Sequence, residues 1–406
     1  MMLTNLDFLN PGEQWPPSSE FDRLSMYEKN KKLFECEHAD IYADAFKRIQ
    51  RVIGNFDEII SYTLVINYQK LISVKIADLL LGETPKITAG EENSPEWKSI
   101  ETILEQTDLI NTCYEAAIDV SRFGDGVLLV YKDPDGKAMI SITQPSIWFP
   151  VVDPDNIKRI LYHVLAWMVE VRKDEWHLKV QIHGKGFYYE REYLMENKIR
   201  TMIKKLISPE RKINTGLDDF AIVQISNLIT SDRITGIDDY TDVDSVISEL
   251  LVRCSQIAKV LDKHADPNMQ GPYSALERDP QTGEWRLKLS KFFPRDNKED
   301  APLEYVTWNA EMDSSFKFIE ILINALYTIS EMGSAIFGDM SKQTGQVPSG
   351  SALRRLMISA LAKVNRIRMR FDPQLKKAIR LCSELGGNGI TPLKGISVSI
   401  EWQDGL

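Results

Sequence analysis

The side chains that could carry out chemistry are few, and their spacing suits none of the common reactions. A phosphate-binding loop needs a glycine cradle running into Lys-Ser/Thr at a helix start, so that backbone amides and the lysine meet the phosphates. Gly338-Asp-Met-Ser-Lys-Gln-Thr-Gly345 has some of these residue types, but its lysine precedes the closing glycine and Gln346-Val-Pro348 follows in place of a helix N-terminus. Asp238, Asp239, Asp242 and Asp244 suggest a divalent-cation site. The calcium-loop order of central glycine and terminal glutamate is missing, however, and acids at a helix start are explained by its orphan amides. The histidines at 38, 163, 177, 183 and 264 include no HExxH and no paired-ligand spacing. Ser351 follows a glycine but lacks the strand and Gly-x-Ser-x-Gly frame of a nucleophile elbow. The reading therefore assigns no catalytic residue, no metal ligand and no cofactor, and expects a protein that is not an enzyme.

One charged feature stands apart. Arg354, Arg355, Lys363, Arg366, Arg368, Arg370, Lys376, Lys377 and Arg380 follow one another with Asp372 as the one acid among them. The chain carries 49 basic and 59 acidic residues, net −10, yet residues 351–406 hold 10 of the bases and only 4 of the acids, leaving the remainder at net −16. Such a run is a solvated face, a set of partners for acids on this chain or a neighbouring copy, or a contact for phosphate. With so much acid elsewhere, pairing between subunits is expected for most of these cations. Proximity to nucleic-acid phosphate is expected only for the first turn, Arg354 and Arg355.

The elements that position these residues follow from hydrophobic period. Phe21–Ile60 reads as helical, Asn67–Leu81 as an amphipathic helix ended by Gly82 and Pro85, and Trp97–Arg122 as a third. The period then shortens to two. Gly126–Lys132 and Ala138–Thr143 form a hairpin across Asp133-Pro-Asp-Gly136, and Trp148–Val152, Ile160–Arg172, Trp176–His183, Gly186–Arg191 and Phe220–Ser226 continue as strands. This is an α+β body. Next comes a helix opened by Thr241 with Asp244 as a short capping box, carrying Val243, Val246, Ile247, Leu250, Leu251, Ile257, Ala258 and Leu261 on one stripe. A β-type insert follows, with a hairpin at Tyr273–Glu277 and Glu284–Leu289 and a further strand at Leu303–Trp308. A second helix, Asp313–Phe337, an exposed loop, 338–350, and a basic helix, Ser351–Leu385, complete the series. Pro373 predicts a kink or restart at Asp372. Gly386–Gly389 ends the helix and Ile396–Trp402 reads as a strand.

A chain of 406 residues can bury two or three cores, and 43% hydrophobic with 27% charged residues is ordinary for a folded soluble protein. Cys36, Cys113, Cys254 and Cys382 are scattered, as small buried hydrophobes in a reducing cytoplasm would be. No signal-peptide pattern opens the chain, and no apolar run reaches the ~20 residues of a bilayer span, so synthesis in the cytoplasm and no membrane contact are expected. A helix that leaves a body, turns through a small β tip and returns is a stalk with little core of its own. It needs neighbours on its sides, which points to a ring-forming structural protein.

At this point the residues resemble the portal proteins of tailed double-stranded DNA bacteriophages, over nearly the whole chain. The likeness is carried by Asn67-Tyr-Gln-Lys70 leading through Ile76-Ala-Asp-Leu79 to Gly82-Glu-Thr-Pro85. It continues with Gly124-Asp-Gly-Val-Leu-Leu-Val-Tyr131, then Pro145 and Trp148-Phe149-Pro150 to Val152-Asp153-Pro154. Ile225-Ser-Asn227 feeding Gly236-Ile-Asp238 and Ser349-Gly-Ser-Ala-Leu353 opening the basic helix complete it. The resemblance implies a homo-oligomeric ring of twelve subunits at one capsid vertex of the virion, with double-stranded DNA passing non-specifically through its channel. Terminase, the major capsid protein and a tail adaptor would be its partners. Residues 1–238 would be the wing, 239–265 and 311–337 the two stem helices, 266–310 a small α/β clip, 338–350 the tunnel loop and 351–387 the long kinked connecting helix. Residues 388–406 would be a wing strand leading to a crown that is expected to be missing.

The physics of a conduit agrees. Each phosphate contact adds counterion-release affinity and brakes sliding, so an acidic chain with few loop cations suits moving DNA. Lys342, Gln343 and Gln346 are the candidates for fleeting backbone contacts in the channel, and Tyr273, Trp285 and Arg286 are the candidate docking anchors of the clip, by residue type. Two other readings remain at this stage: a DNA-packaging ATPase or nuclease subunit, and a tail or adaptor ring protein. Lys342→Ala is expected to leave assembly intact while changing DNA packaging or retention in a packaging assay; an assembly defect would show that the loop was misplaced.

Overall fold

Among the described residues of this computed structural model, 2–47, 63–196, 201–265, 269–270, 276–278, 280–281, 283, 285–287, 304–305, 312–338, 354–387 and 389–403, helices and antiparallel strands alternate. The chain divides into two units, 1–41 with 67–244 and 326–406, and 42–66 with 245–325. Residues 42–66, read from the sequence as part of the body, fall in the second.

In the first unit, α1 (Phe21–Phe34) and α2 (His38–Ile41) replace the continuous helix expected from Phe21. Cys36 turns left-handed at φ 74°, and the amides of Cys36 and Glu37 close back on the carbonyls of Leu33 and Lys32. That 6→1 and 5→2 pair is a Schellman stop. Then α3 (Tyr68–Leu81) starts where Asn67 accepts the Lys70 amide at 2.9 Å. Next, β1 (Lys86–Ala89) pairs antiparallel with Val398–Glu401, joining distant parts of the chain. The run 97–122 divides into α4 (Pro95–Gln106), capped by Ser94, and α5 (Leu109–Phe123), because Asp108 takes φ 45° between them.

The expected hairpin is present as β2 (Asp125–Lys132) and β3 (Ala138–Thr143), with Gly136 at φ 79° and the Asp133 carboxylate accepting the Lys137 amide at 2.7 Å. The strands β4 (Trp148–Val152), β5 (Ile160–Arg172), β6 (Glu175–Gly184), β7 (Phe187–Met195) and β8 (Ile203–Asn214) form a second, sequential antiparallel sheet. Sequence reading missed β8. Its Lys204, Lys205, Pro209, Glu210, Arg211 and Lys212 suit a solvated edge strand, which needs no apolar alternation. β9 (Ile222–Ser226) then adds to β2, giving the order β3-β2-β9. β2 is covered on both sides. Val127 packs with Trp148, Leu165 and Ile222, while on the opposite pleat a Cβ at Gly126 would stand 3.1 Å from Ala116 and Val120 of α5.

The N-terminal segment straps the larger sheet. Leu3 bridges to Val151 on one edge, and Gly12, Glu13 and Trp15 bond the backbone of Thr201 and Ile203 on the other. Phe8, Leu9 and Trp15 join Phe149, Leu178, Val180 and Tyr193 in one core.

In the second unit, α6 (Asp244–Ala265) is followed by β10 (Met269–Gln270), β11 (Leu276–Arg278), β12 (Trp285–Leu287) and β13 (Glu304–Tyr305). β11 pairs with β12, as the hairpin pattern predicts, and β10 with β13. Its last helix is α7 (Met312–Ile329), which ends back in the first unit. Where one helix was expected to reach Phe337, the chain stops at Ser330 and restarts as α8 (Gly333–Ile336), with Glu331 at φ 60° and Gly333 at φ 70°. The basic segment shows the opposite correction. Residues 354–356 are helical, Met357 breaks the run, and α9 (Ile358–Leu385) then passes through Pro373 without a restart at Asp372. Phe371, Leu375, Ala378 and Ile379 are buried on both sides of the proline, so one core face runs through both halves. Trp402 Nε1 and Lys376 both bond Asp372, at 3.0 and 2.7 Å. β14 (Val398–Glu401) is the partner of β1. No described helix is long and apolar enough to cross a membrane.

Inside the first unit, His163 accepts the Trp148 indole N–H at Nδ1, 3.0 Å away, which fixes the neutral tautomer. Burial, then the neighbouring His183 and Lys377, pushes its pKa from 6.5 down to about 3. A group depressed in the fold costs stability as pH drops below its ordinary value, because the unfolded chain takes up the proton first. The loss should begin near pH 6.5 and continue towards pH 3. Urea melts should show the wild type losing about 2 kcal/mol more than His163→Gln between pH 7 and pH 5; equal losses would contradict the assignment.

Candidate functional site

The glycine and acid motifs of the sequence converge at the start of α6. Gly124 and Gly236 touch backbone to backbone: a Cβ at Gly236 would lie 1.9 Å from the Gly124 carbonyl oxygen, so no larger residue fits. Asp125, wholly buried, accepts the Gly236 amide at 3.0 Å and the Gln224 amide at 2.8 Å. Burial pushes its carboxyl above the usual range. Asn227 donates to the Ile237 carbonyl. Asp238 accepts the amides of Tyr240 and Thr241, both at 2.8 Å, so the turn before α6 is capped from Asp238 and not by the Thr241–Asp244 box expected. Tyr240 is buried, its hydroxyl 2.7 Å from Ser73. Of the four clustered acids, then, Asp238 caps, Asp239 and Asp244 pair with Lys363 and Lys29, and Asp242 is exposed.

Lys363 closes this root against the end of α7. Its Nζ lies 2.8 Å from Asp239 Oδ1 and donates to the Ser330 carbonyl at 2.9 Å, with both side chains under a tenth exposed. The break at Ser330–Gly333 is what frees that carbonyl: a helix continuing to Phe337 would have used it internally. Beside it Arg366 pairs with Glu331 at 2.6 Å.

The basic helix is thus largely spent inside its own subunit. Lys376 pairs with Asp372, Lys377 with Asp219 at 2.8 Å and Arg380 with Glu384, while Arg368 donates to the Leu79 and Gln403 carbonyls and sits over the Trp402 ring. The expectation that most of these cations pair between subunits is corrected: the acidic body of the same chain lies within reach of α9. Arg354 and Arg355 are exposed. Arg355 and Arg370 have no ion pair among the described residues. Trp285 is exposed on β12, and Arg286 stands opposite Glu277 in the same hairpin. Tyr273, Lys342, Gln343 and Gln346 lie outside the described residues.

What the sequence hid is the extent of uncovered apolar surface. The stripe on α6 is buried at Ile247, Leu250 and Leu251, but Leu261 is exposed. Among the described residues of α7 only Leu326 is buried, while Phe316, Phe318, Ile321 and Ile329 are exposed, Ile321 to 62%. On α9, Ile358 and Met369, eleven residues apart and so on one face, are exposed to 68% and 73%. Within the second unit the contact between the two long helices includes Arg253 over the Phe318 ring at 5.6 Å.

Removing the ammonium of Lys363 would strand a buried carboxylate. Lys363→Met should lower stability by about 3–5 kcal/mol, read by urea denaturation, and adding Asp239→Asn should recover most of the loss. No recovery would mean that the lysine acts by packing alone.

Comparison with known proteins gives a family match over residues 20–406, to the family described as phage portal protein, SPP1 Gp6-like. The strap lies outside the matched range. No curated protein matches the chain. Among solved structures, the neck of a native GTA particle computed with C12 symmetry contains a chain 11% identical, TM-score 0.44, covering 82% of this chain and 80% of that one. The virion of a native gene transfer agent particle contains another, 11% identical, TM-score 0.46, covering 97% of this chain and 86% of that one. With the family model spanning all but the first 19 residues, the chain belongs to the SPP1 Gp6-like family of phage portal proteins and serves as the portal at a capsid vertex of the virion.

Proposed function

We propose that copies of this chain close into a ring of twelve, with α6 and α7 as its stem, the β10–β13 segment within its clip and residues 338–350 as its tunnel loop. Double-stranded DNA passes through the channel during packaging and ejection, and the clip docks terminase and then the tail adaptor. The major capsid protein surrounds the ring. The chain does no chemistry of its own in this reading, and its synthesis is in the host cytoplasm.

The observation that supports it is α7. The apolar face of an amphipathic helix belongs against a partner, yet among the described residues of α7 Leu326 is the one that is buried, and Phe316, Phe318, Ile321 and Ile329 on that broad face are exposed. A second face, Ile358 and Met369, is equally uncovered on α9. Two different uncovered faces per subunit are what a closed ring of head-to-tail contacts requires. Large apolar side chains exposed together on one helix face mark an interaction surface.

Ile321→Lys and Met369→Lys each place a charge on such a face without touching a buried residue. Mass photometry should show the wild type as a ring and each variant shifted towards monomer, with monomer melting temperature unchanged. Rings of undiminished stability in both variants would show that these faces are not the subunit contacts.

A further inference from the structure

The first unit holds a cavity of about 570 Å³ that the portal reading does not use. Its walls come from separate segments: the β4–β5 turn gives Lys158 and Arg159, the β6–β7 turn gives Lys185, the approach to β9 gives Asp219 and Phe220, and α9 gives Gln374 and Lys377. His163 also lines it. Four cations therefore face one lining carboxylate, in a chain that is acidic overall. The volume falls in the range of small-ligand sites.

The charges are held in place. Asp219 lies 2.8 Å from Lys377 Nζ and 3.9 Å from Lys185 Nζ, and Lys377 and the Phe220 amide keep it ionised below the usual carboxylate range despite partial burial. Lys185 is poised 5.6 Å over the Phe220 ring yet remains two-thirds exposed. Lys158 donates to the carbonyls of Thr230 and Arg233, which fixes its position without neutralising it. Arg159 is partly offset by Asp153 at 3.3 Å. Because His163 Nδ1 accepts from Trp148, its proton is on Nε2, so the histidine's remaining ring nitrogen is a donor too. An excess of positive charge and donors, in a recess with low-dielectric walls, concentrates anions.

We propose that this cavity binds a phosphate group. Ammonium groups arriving from three walls suit a tetrahedral dianion that accepts from several directions. A planar carboxylate is better matched by an arginine fork, and the one arginine here already faces Asp153. The phosphate is either free in solution or part of a nucleic-acid backbone, and the chemistry at Lys158, Lys185 and Lys377 is the same for both.

The test is isothermal titration of the full-length protein with inorganic phosphate in a chloride buffer, with a short DNA duplex as a second titrant and competitor. Saturable binding is expected at one site per chain, weakening with ionic strength. Lys185→Gln, whose side chain is mostly in solvent, should weaken it about tenfold with an unchanged melting temperature. Asp219→Asn should tighten it, since it removes the lining negative charge. Competition between duplex and phosphate would make the nucleic-acid backbone the source, and phosphate binding without duplex binding would make it a free ion. No saturable binding at millimolar phosphate, equal affinity in Lys185→Gln, or binding of an acidic peptide alone would overturn the proposal. The assay reads the first unit's cavity and is indifferent to whether a ring forms, so its failure leaves the portal reading untouched.

Discussion

A helix with more apolar residues than it can bury sets the terms for the rest of this molecule. Phe316, Phe318, Ile321 and Ile329 are left about half in water by their own chain, so each forgoes roughly half of the 1.5–3 kcal/mol that full burial of such a side chain brings. A single chain has no remedy among its described elements. In the ring proposed above, closure with identical neighbours would remove the same surface from every subunit at once.

Such a helix pair needs a firm root, and here charge does what apolar packing cannot. The Gly124–Gly236 backbone contact, the Asp125 and Asp238 acceptors and the Lys363 ammonium bring the start of α6, the end of α7 and the middle of α9 to one buried point. A buried ion pair adds little net stability over well-packed hydrocarbon. It does punish any register in which its partners are apart, because a stranded charge in the interior is expensive. Within the first unit, that cluster therefore selects one pairing of its segments more than it adds stability.

Much of this was legible in the chain. Period-two alternation located β2 to β7 and β9 within a few residues, because each has an apolar face, and the Asp-Pro-Asp-Gly turn announced its hairpin. The glycines at 124 and 236 were readable as markers, but only the fold shows that they mark each other. The errors share a cause. Cys36, Asp108 and Glu331 are non-glycine residues at positive φ, and nothing local distinguishes them from helical neighbours, so three helices were read too long. At Pro373 the helix runs on without the restart that was one of two outcomes expected, since burial of Phe371 and Leu375 on one face outweighs a single missing amide donor. Strand β8 escaped because an edge need not alternate. The destinations of the α9 cations were out of reach, because pairing with Asp219, Asp239 and Glu331 depends on contacts made across the chain.

The claim beneath all of these is that α7 is completed by other copies of itself. An electron cryomicroscopy reconstruction of the purified full-length protein tests it most directly. The account predicts a closed ring around a hole wide enough for duplex DNA, with Phe316–Ile329 packed between adjacent subunits. A particle that stays monomeric at micromolar concentration, or a ring in which that segment faces open solvent, would contradict it.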